Sequence, residues 1–144
     1  MCLGACATQP PITKLVNDRQ IVTRSVNASA YEHASRAFLY EEEERWQDAA
    51  AELQRALVFD DESPELQAHL AEIFMRLGRP SDAAAAIRAS FKIEVTADGL
   101  MAEAHLREAQ GDVAGAVQSL RQAVGKVDLA DQPDTAETVS LELA

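Results

Sequence analysis

From about Ser29 to Lys126, apolar residues recur at the spacing that keeps them on one face of a helix, and the breaks fall on residues that start or stop helices. Ser29 with Glu32 three residues on has the form of a capping box, in which hydroxyl and carboxylate satisfy orphan N–H groups, so a helix is expected from about Ala30. Ser63 before Pro64 sets a good cap ahead of a proline whose missing N–H is harmless at the first helical position. Gly78 and Gly111 each follow a helical stretch, where a residue without Cβ takes the left-handed conformation at low cost. The pattern predicts about six helices of roughly twelve to fourteen residues joined by short turns, with no competing strand signal.

The flanks differ. Residues 7–28 combine Pro10-Pro11, scattered polar residues and β-branched Ile21, Val22 and Val26 without a helical period, and read as an extended linker. Residues 128–138 are polar and interrupted by Pro133, and Val139, Leu141 and Leu143 then alternate. That tail reads either as the start of a frayed helix or as disordered.

The helical stretch is a repeat. Tyr40, Ala49 and Leu53 recur 34 residues later as Phe74, Ala83 and Ile87, and Arg45 and Asp48 recur as Arg79 and Asp82. A third copy follows at 33, turning Gly78, Ala83, Ile87, Ser90 and Phe91 into Gly111, Ala116, Leu120, Ala123 and Val124. Ala37, Ala49 and Ala56, then Ala71, Ala83 and Ser90, are small enough to let two helix backbones approach closely. Tyr40, Leu53 and Leu57, then Phe74, Ile87 and Phe91, project toward the next unit, so each unit buries its apolar face only when stacked. Polar Arg36 in the first copy, and Glu103 and Arg107 in the third, depart from this pattern.

A period of 34 built this way, clearest in ERWQDAAAELQRAL (44–57), LGRPSDAAAAIRASF (77–91) and QGDVAGAVQSLRQAV (110–124), resembles the tetratricopeptide repeat. The resemblance implies an all-α chain, a right-handed α-solenoid of about three helix-turn-helix repeats. The expected organisation is a lipobox-like segment and flexible linker over 1–28, repeats over 29–126 (30–63, 64–96 and 97–126), and a short tail or partial capping helix over 127–144. Because solenoid ends need covering, the brief tail reads as a further helix cut short or as a face that another molecule covers.

Composition narrows the functions. The chain has 144 residues, enough for one ordinary domain, and is 47% hydrophobic but only 5% aromatic, which favours close-packed helices over a sheet. No apolar run approaches the length needed to span a bilayer. With 13 Lys and Arg against 24 Asp and Glu the net charge is −11, which disfavours nucleic acid and anionic lipid as partners. His33, His69 and His105 occur one per repeat and 36 apart, not at metal-ligand spacing, and read as structural or surface residues. No nucleophile elbow, glycine-rich phosphate loop or paired acid/base carboxylates appear, so neither an enzyme nor a cofactor or metal is expected. The acidic run Glu41-Glu42-Glu43-Glu44 lies at a helix C-terminus, where carboxylates oppose the dipole, a hint of use beyond solubility.

In proteins of the kind this chain resembles, the first helices of successive repeats line a concave groove for an extended peptide or partner helix. Carried over position by position, that groove takes Tyr31, Phe38, Glu41 and Glu42 from the first repeat, Glu72, Met75 and Arg76 from the second, and Met101, His105 and Glu108 from the third. The set is apolar and acidic and suits a peptide with apolar anchors and a basic residue. The equally available reading is that Phe38, Met75 and Met101 fill gaps between helices. Of the lysine, arginine and asparagine clamp with which chaperone-binding relatives hold an acidic C-terminal peptide, only Arg76 has a counterpart.

Leu3-Gly4-Ala5-Cys6, followed by Ala7-Thr8-Gln9-Pro10-Pro11, resembles a bacterial lipoprotein processing site and tether, with Cys6 as lipid attachment. Only five residues precede Cys6, with no basic or apolar leader segment among them. Two readings therefore stand: a leader encoded upstream, or a coincidental match. Cys2 and Cys6 lack a second pair for a metal site. The expectation is a non-enzymatic protein-binding scaffold, anchored by lipid at the outer membrane or periplasmic face and assisting assembly of envelope complexes. The alternatives are a cytoplasmic adaptor and a regulatory fragment of a larger enzyme or sensor.

Overall fold

Helix ends set the architecture. In the computed structural model the described residues are 27–127 and, as backbone, two preceding strands. Cys6 and the tail 128–144 lie outside them. Six helices follow one another as α1 (Ala28–Glu42), α2 (Trp46–Phe59), α3 (Pro64–Arg76), α4 (Pro80–Ile93), α5 (Ala97–Ala109) and α6 (Val113–Lys126). Ser63 accepts from the Leu66 N–H at 3.2 Å ahead of Pro64, as expected, and Thr96 and Asp112 cap α5 and α6 in the same way through Gly99 and Gly115. The first cap differs from expectation. It is Asn27, whose Oδ1 accepts from Ser29 N at 2.9 Å and Ala30 N at 3.4 Å, so α1 begins at Ala28 and Ser29 lies inside its first turn.

The turn inside each pair repeats one conformation. Gly78 and Gly111 take φ of 67° and 82°, the left-handed values expected of them, and Glu44 occupies the same place in the first pair with φ 56°. A Cβ in that region costs about 1–2 kcal/mol. Glu44→Gly should therefore stabilise the chain by roughly 0.5–1 kcal/mol after the extra flexibility of glycine is subtracted. A rise in thermal midpoint would bear this out, and an unchanged or lower midpoint would contradict it.

The strands correct the linker reading. Residues Ile12–Val16 (β1) and Arg19–Thr23 (β2) pair antiparallel, with Ile12 opposite Thr23 and Val16 opposite Arg19. Their β-branched residues suit a pleated backbone.

Each helix packs most extensively on its hairpin mate, α1 on α2, α3 on α4 and α5 on α6, and the pairs then stack through α2–α3, α3–α5 and α4–α5. Where mates cross, Ala37, Ala49, Ala56, Ala71, Ala83, Ser90, Ala102 and Ala123 are completely buried. Leu53, Ile73, Phe74, Ile87 and Leu106 fill the space between pairs, with Tyr40, Leu57 and Phe91 packed against them. Ridge-and-groove contact at small residues inside each pair and bulk between pairs give a solenoid whose units share one continuous core.

The repeat extends to surface chemistry. Arg45 lies 4.3 Å over the Tyr40 ring while its Nε donates to Asp48 at 2.8 Å, and one period on Arg79 lies 4.7 Å over Phe74 with its Nε donating to Asp82 at 2.6 Å. The polar departures in the third repeat satisfy one another. Arg107 pairs with Glu103 at 2.9 Å and donates to the Gly115 carbonyl at 3.1 Å, and the buried Ser119 hydroxyl donates to Glu103 at 2.8 Å. Arg36 in the first repeat stays exposed and pairs with Glu32.

Candidate functional site

The first helices α1, α3 and α5 together wall a groove of about 500 Å³. Helical geometry explains its lining, because residues at i, i+3, i+4 and i+7 share a face. α1 contributes Ala34 and Phe38, α3 contributes Glu65, Ala68, His69 and Glu72 with neighbouring Leu66, and α5 contributes Asp98, Met101 and His105. Most of these positions are repeat equivalents. Ala34, Ala68 and Met101 form one row across the wall, Phe38, Glu72 and His105 a second, and Glu65 with Asp98 a third that Tyr31 begins on α1.

Phe38 is 57% exposed, although its ring sits 4.8 Å from that of His69. An aromatic left this open beside Met101, Leu66 and two alanines gives the groove an apolar surface in contact with water.

Polar contacts tie the wall together. His69 Nε2 approaches Glu41 Oε1 at 2.7 Å, linking α3 to α1, and His105 Nδ1 meets Glu72 Oε1 at 2.8 Å, linking α5 to α3. His33, stacked on Phe59, hydrogen-bonds Glu52 Oε2 at 2.6 Å and so joins α1 to α2 outside the groove. Each histidine thus meets a carboxylate on a neighbouring helix, and two of them, His69 and His105, line the groove.

The groove is acidic. Asp98 keeps much of its surface at the rim, but the protein around its carboxyl disfavours the ionised form. Burial pushes its pKa up from the ordinary value, Glu65 adds to the rise, and His69 opposes it. Glu52 behaves oppositely: the His33 hydrogen bond, with help from Arg55, holds its carboxyl below the ordinary range against the effect of burial. A carboxylate with a folded-state pKa below its unfolded one stabilises the fold above the unfolded value, 4.5, and loses that contribution as pH falls through the folded value. The stability gap between the wild type and Glu52→Gln should therefore narrow as pH drops below that point in acid unfolding titrations. A gap unchanged down to strong acid would contradict this.

Of the residues drawn from the resemblance, Phe38, Glu72, Met101 and His105 come together in the groove. Glu41 stands beside it, its Oε1 2.7 Å from His69 Nε2 but without a hydrogen bond. Met75 is half-buried against the core, and Arg76 reaches over the Trp46 ring at 5.7 Å, a different role from holding a carboxylate. Tyr31, Glu42 and Glu108 are exposed and outside the lining. Ala34, Glu65, Leu66, Ala68, His69 and Asp98 were not in the expected set. The signal for Glu65 and Asp98 was in the period itself, an acidic residue one place into two successive first helices. Within the acidic run, Glu43 pairs with Arg45 at 2.9 Å and Glu44 forms the left-handed turn, so three of its four residues have structural places.

Among the described residues no three His, Cys, Asp or Glu side chains are placed to hold a metal ion, and no helix is long and apolar enough to cross a membrane.

Neither a protein-family model nor a curated protein sequence matches the chain. Solved structures do match. The type III secretion translocator chaperone SycD of Yersinia enterocolitica superposes with a TM-score of 0.70 at 17% identity, over 79% of this chain and 87% of that one. The same chaperone in complex with a peptide of the translocator YopD gives 0.62 at 15% identity, over 82% of this chain and 97% of that one. The second tetratricopeptide domain of Spaghetti (RPAP3), bound to the HSP90 peptide SRMEEVD, gives 0.62 at 14% identity, over 69% of this chain and 94% of that one. Stacked helical hairpins, their period of 33–34 residues and these superpositions together identify the fold: residues 28–126 form an α-solenoid of the tetratricopeptide-repeat type.

Proposed function

We propose that the chain is a non-enzymatic scaffold that binds an extended segment of another protein in the groove of α1, α3 and α5. The observation that carries this reading is the exposed Phe38 ring in an open groove that Met101 also lines, with room for several side chains. Three features support it further: a wall in which His105 hydrogen-bonds Glu72 across α5 and α3, which limits the ordering needed on binding; two large apolar side chains, Phe38 and Met101, of the kind that anchor peptides; and neighbours in fold that were solved with peptides bound.

The experiment is selection of a random displayed-peptide library against the full chain, followed by titration of the winning peptide. Phe38→Ala and Met101→Ala should each weaken that peptide about tenfold, the cost of losing a buried anchor, with the helical circular dichroism retained. Met75→Ala should lower stability and leave affinity unchanged. Failure to select any peptide, or wild-type affinity in both groove variants, would overturn the reading.

A lipid tether is a separate part of the proposal and rests on Leu3-Gly4-Ala5-Cys6 followed by a Thr/Gln/Pro stretch. It would hold the scaffold at the outer membrane or periplasmic face, where it would assist assembly of envelope complexes. A diacylglyceryl mass on Cys6 in protein expressed from its native gene supports the tether, and an unmodified Cys6 overturns it.

A further inference from the structure

The groove is apolar in its middle, with two carboxylates, Glu65 and Asp98, at the end formed by the first turns of α3 and α5 and a third, Glu72, further along α3. Its apolar part is Ala34, Phe38, Leu66, Ala68 and Met101, and its carboxylates are Glu65, Glu72 and Asp98. These carboxylates differ in what they already contact. Among the described residues Glu72 has His105 at 2.8 Å, Glu65 accepts a neutral hydroxyl from Ser63 at 3.0 Å, and Asp98 is near enough to Glu65 to feel its like charge, with His69 acting in the opposite direction. Among the described residues no Lys or Arg lines the groove. The arginines in ion pairs are engaged elsewhere, Arg36 with Glu32, Arg45 with Glu43 and Asp48, Arg55 with Glu52, Arg79 with Asp82 and Arg107 with Glu103.

Glu65 and Asp98 each stand in the first turn of a helix, where the dipole favours a carboxylate. That accounts for an acid at each position. It does not account for two such acids turned into one apolar groove without a cation between them. The Asp98 pKa is raised in the same setting, by burial first and by the like charge of Glu65 next, and His69 offsets them only in part.

We propose that the groove selects a segment of a partner protein in which a lysine or arginine lies beside a large apolar residue, the cation between Glu65 and Asp98 and the apolar side chain against Phe38 and Met101. This rests on the scaffold reading and adds a rule of specificity to it. Segments ending in acidic residues, such as the SRMEEVD peptide of the Spaghetti neighbour, meet like charge here and are rejected. Electrostatic matching of this kind sets which partner binds more than how tightly.

The test uses the same displayed library on the full chain and reads the composition of what is selected. Expected is enrichment of Lys or Arg next to Leu, Ile, Phe or Met, with depletion of Asp and Glu. A synthetic winning peptide with its basic residue replaced by Gln should bind about tenfold more weakly, and the E65Q/D98N double variant should erase that difference. Binding of the basic peptide to the wild type should also weaken with added salt, a readout independent of whether the double variant folds. Apolar peptides selected without a charge bias would overturn the specificity rule and leave the scaffold standing. No selectable peptide would overturn both.

Discussion

Leu53→Ala should destabilise the chain by about 2–5 kcal/mol, the usual cost of emptying a fully buried leucine site. Leu53 is completely inaccessible to solvent and lies in the cluster that joins α1 and α2 to α3 and α4, with Ala49, Ile73, Phe74 and Ile87 in the same cluster. The neighbours are held by their own helices and cannot collapse fully into the space, so a cavity term adds to the lost transfer energy. In a solenoid each unit draws its stability from its neighbour's interface, so the loss should uncouple the first repeat from the others. Urea unfolding followed by circular dichroism should show the midpoint fall together with a broader transition. A loss below about 1 kcal/mol would mean that this interface does not hold the stack together.

Ala83→Leu should destabilise by about 1–3 kcal/mol for the opposite reason, overpacking. Ala83 is fully buried at the crossing of α3 and α4, and its counterparts Ala49 and Ala116 hold the same place in the other pairs. A larger side chain there must push two backbones apart. The control is Ala85→Leu on the same helix, where the residue is exposed and the identical change in composition should have little effect. Equal thermal midpoints for the two variants would contradict close approach at Ala83.

What made this fold legible in the sequence was the period and the alanines, because close helix contact tolerates little else at those places. Ala37, Ala49, Ala56, Ala71 and Ala83 were readable for that reason, as were Ser63-Pro64, Gly78 and Gly111 at helix ends. Elsewhere two chemically plausible choices compete locally. Ser29 and Asn27 are both good caps two residues apart, and tertiary placement of α1 decides between them. Glu44 hides a left-handed turn because it lacks the glycine that marks the other two. The β1–β2 hairpin was read as linker because strands of five residues beside a diproline carry little signal, and two strands alone are marginal.

The groove was half legible. Phe38, Glu72, Met101 and His105 follow from the resemblance, since they share a helix face across repeats. The expected set ran on toward the helix C-termini through Glu42, Met75, Arg76 and Glu108, whereas the lined space lies over the N-terminal and middle turns of α3 and α5. Helical residues cover the turn before their own Cα, which shifts the usable wall in that direction. His69, read from its spacing as structural or surface, has a place in the groove that depends on the stacking of the units, which brings it 2.7 Å from Glu41, 28 residues away on another helix.

The methionines provide the most direct test, since the chain has three and the structure separates two of them, Met101 in the groove and Met75 against the core. With methyl-labelled methionine, NMR titration of the full chain with a selected peptide should shift the Met101 methyl signal progressively and leave Met75 in place. A peptide that binds while the Met101 signal stays fixed would contradict a polypeptide-binding groove on α1, α3 and α5.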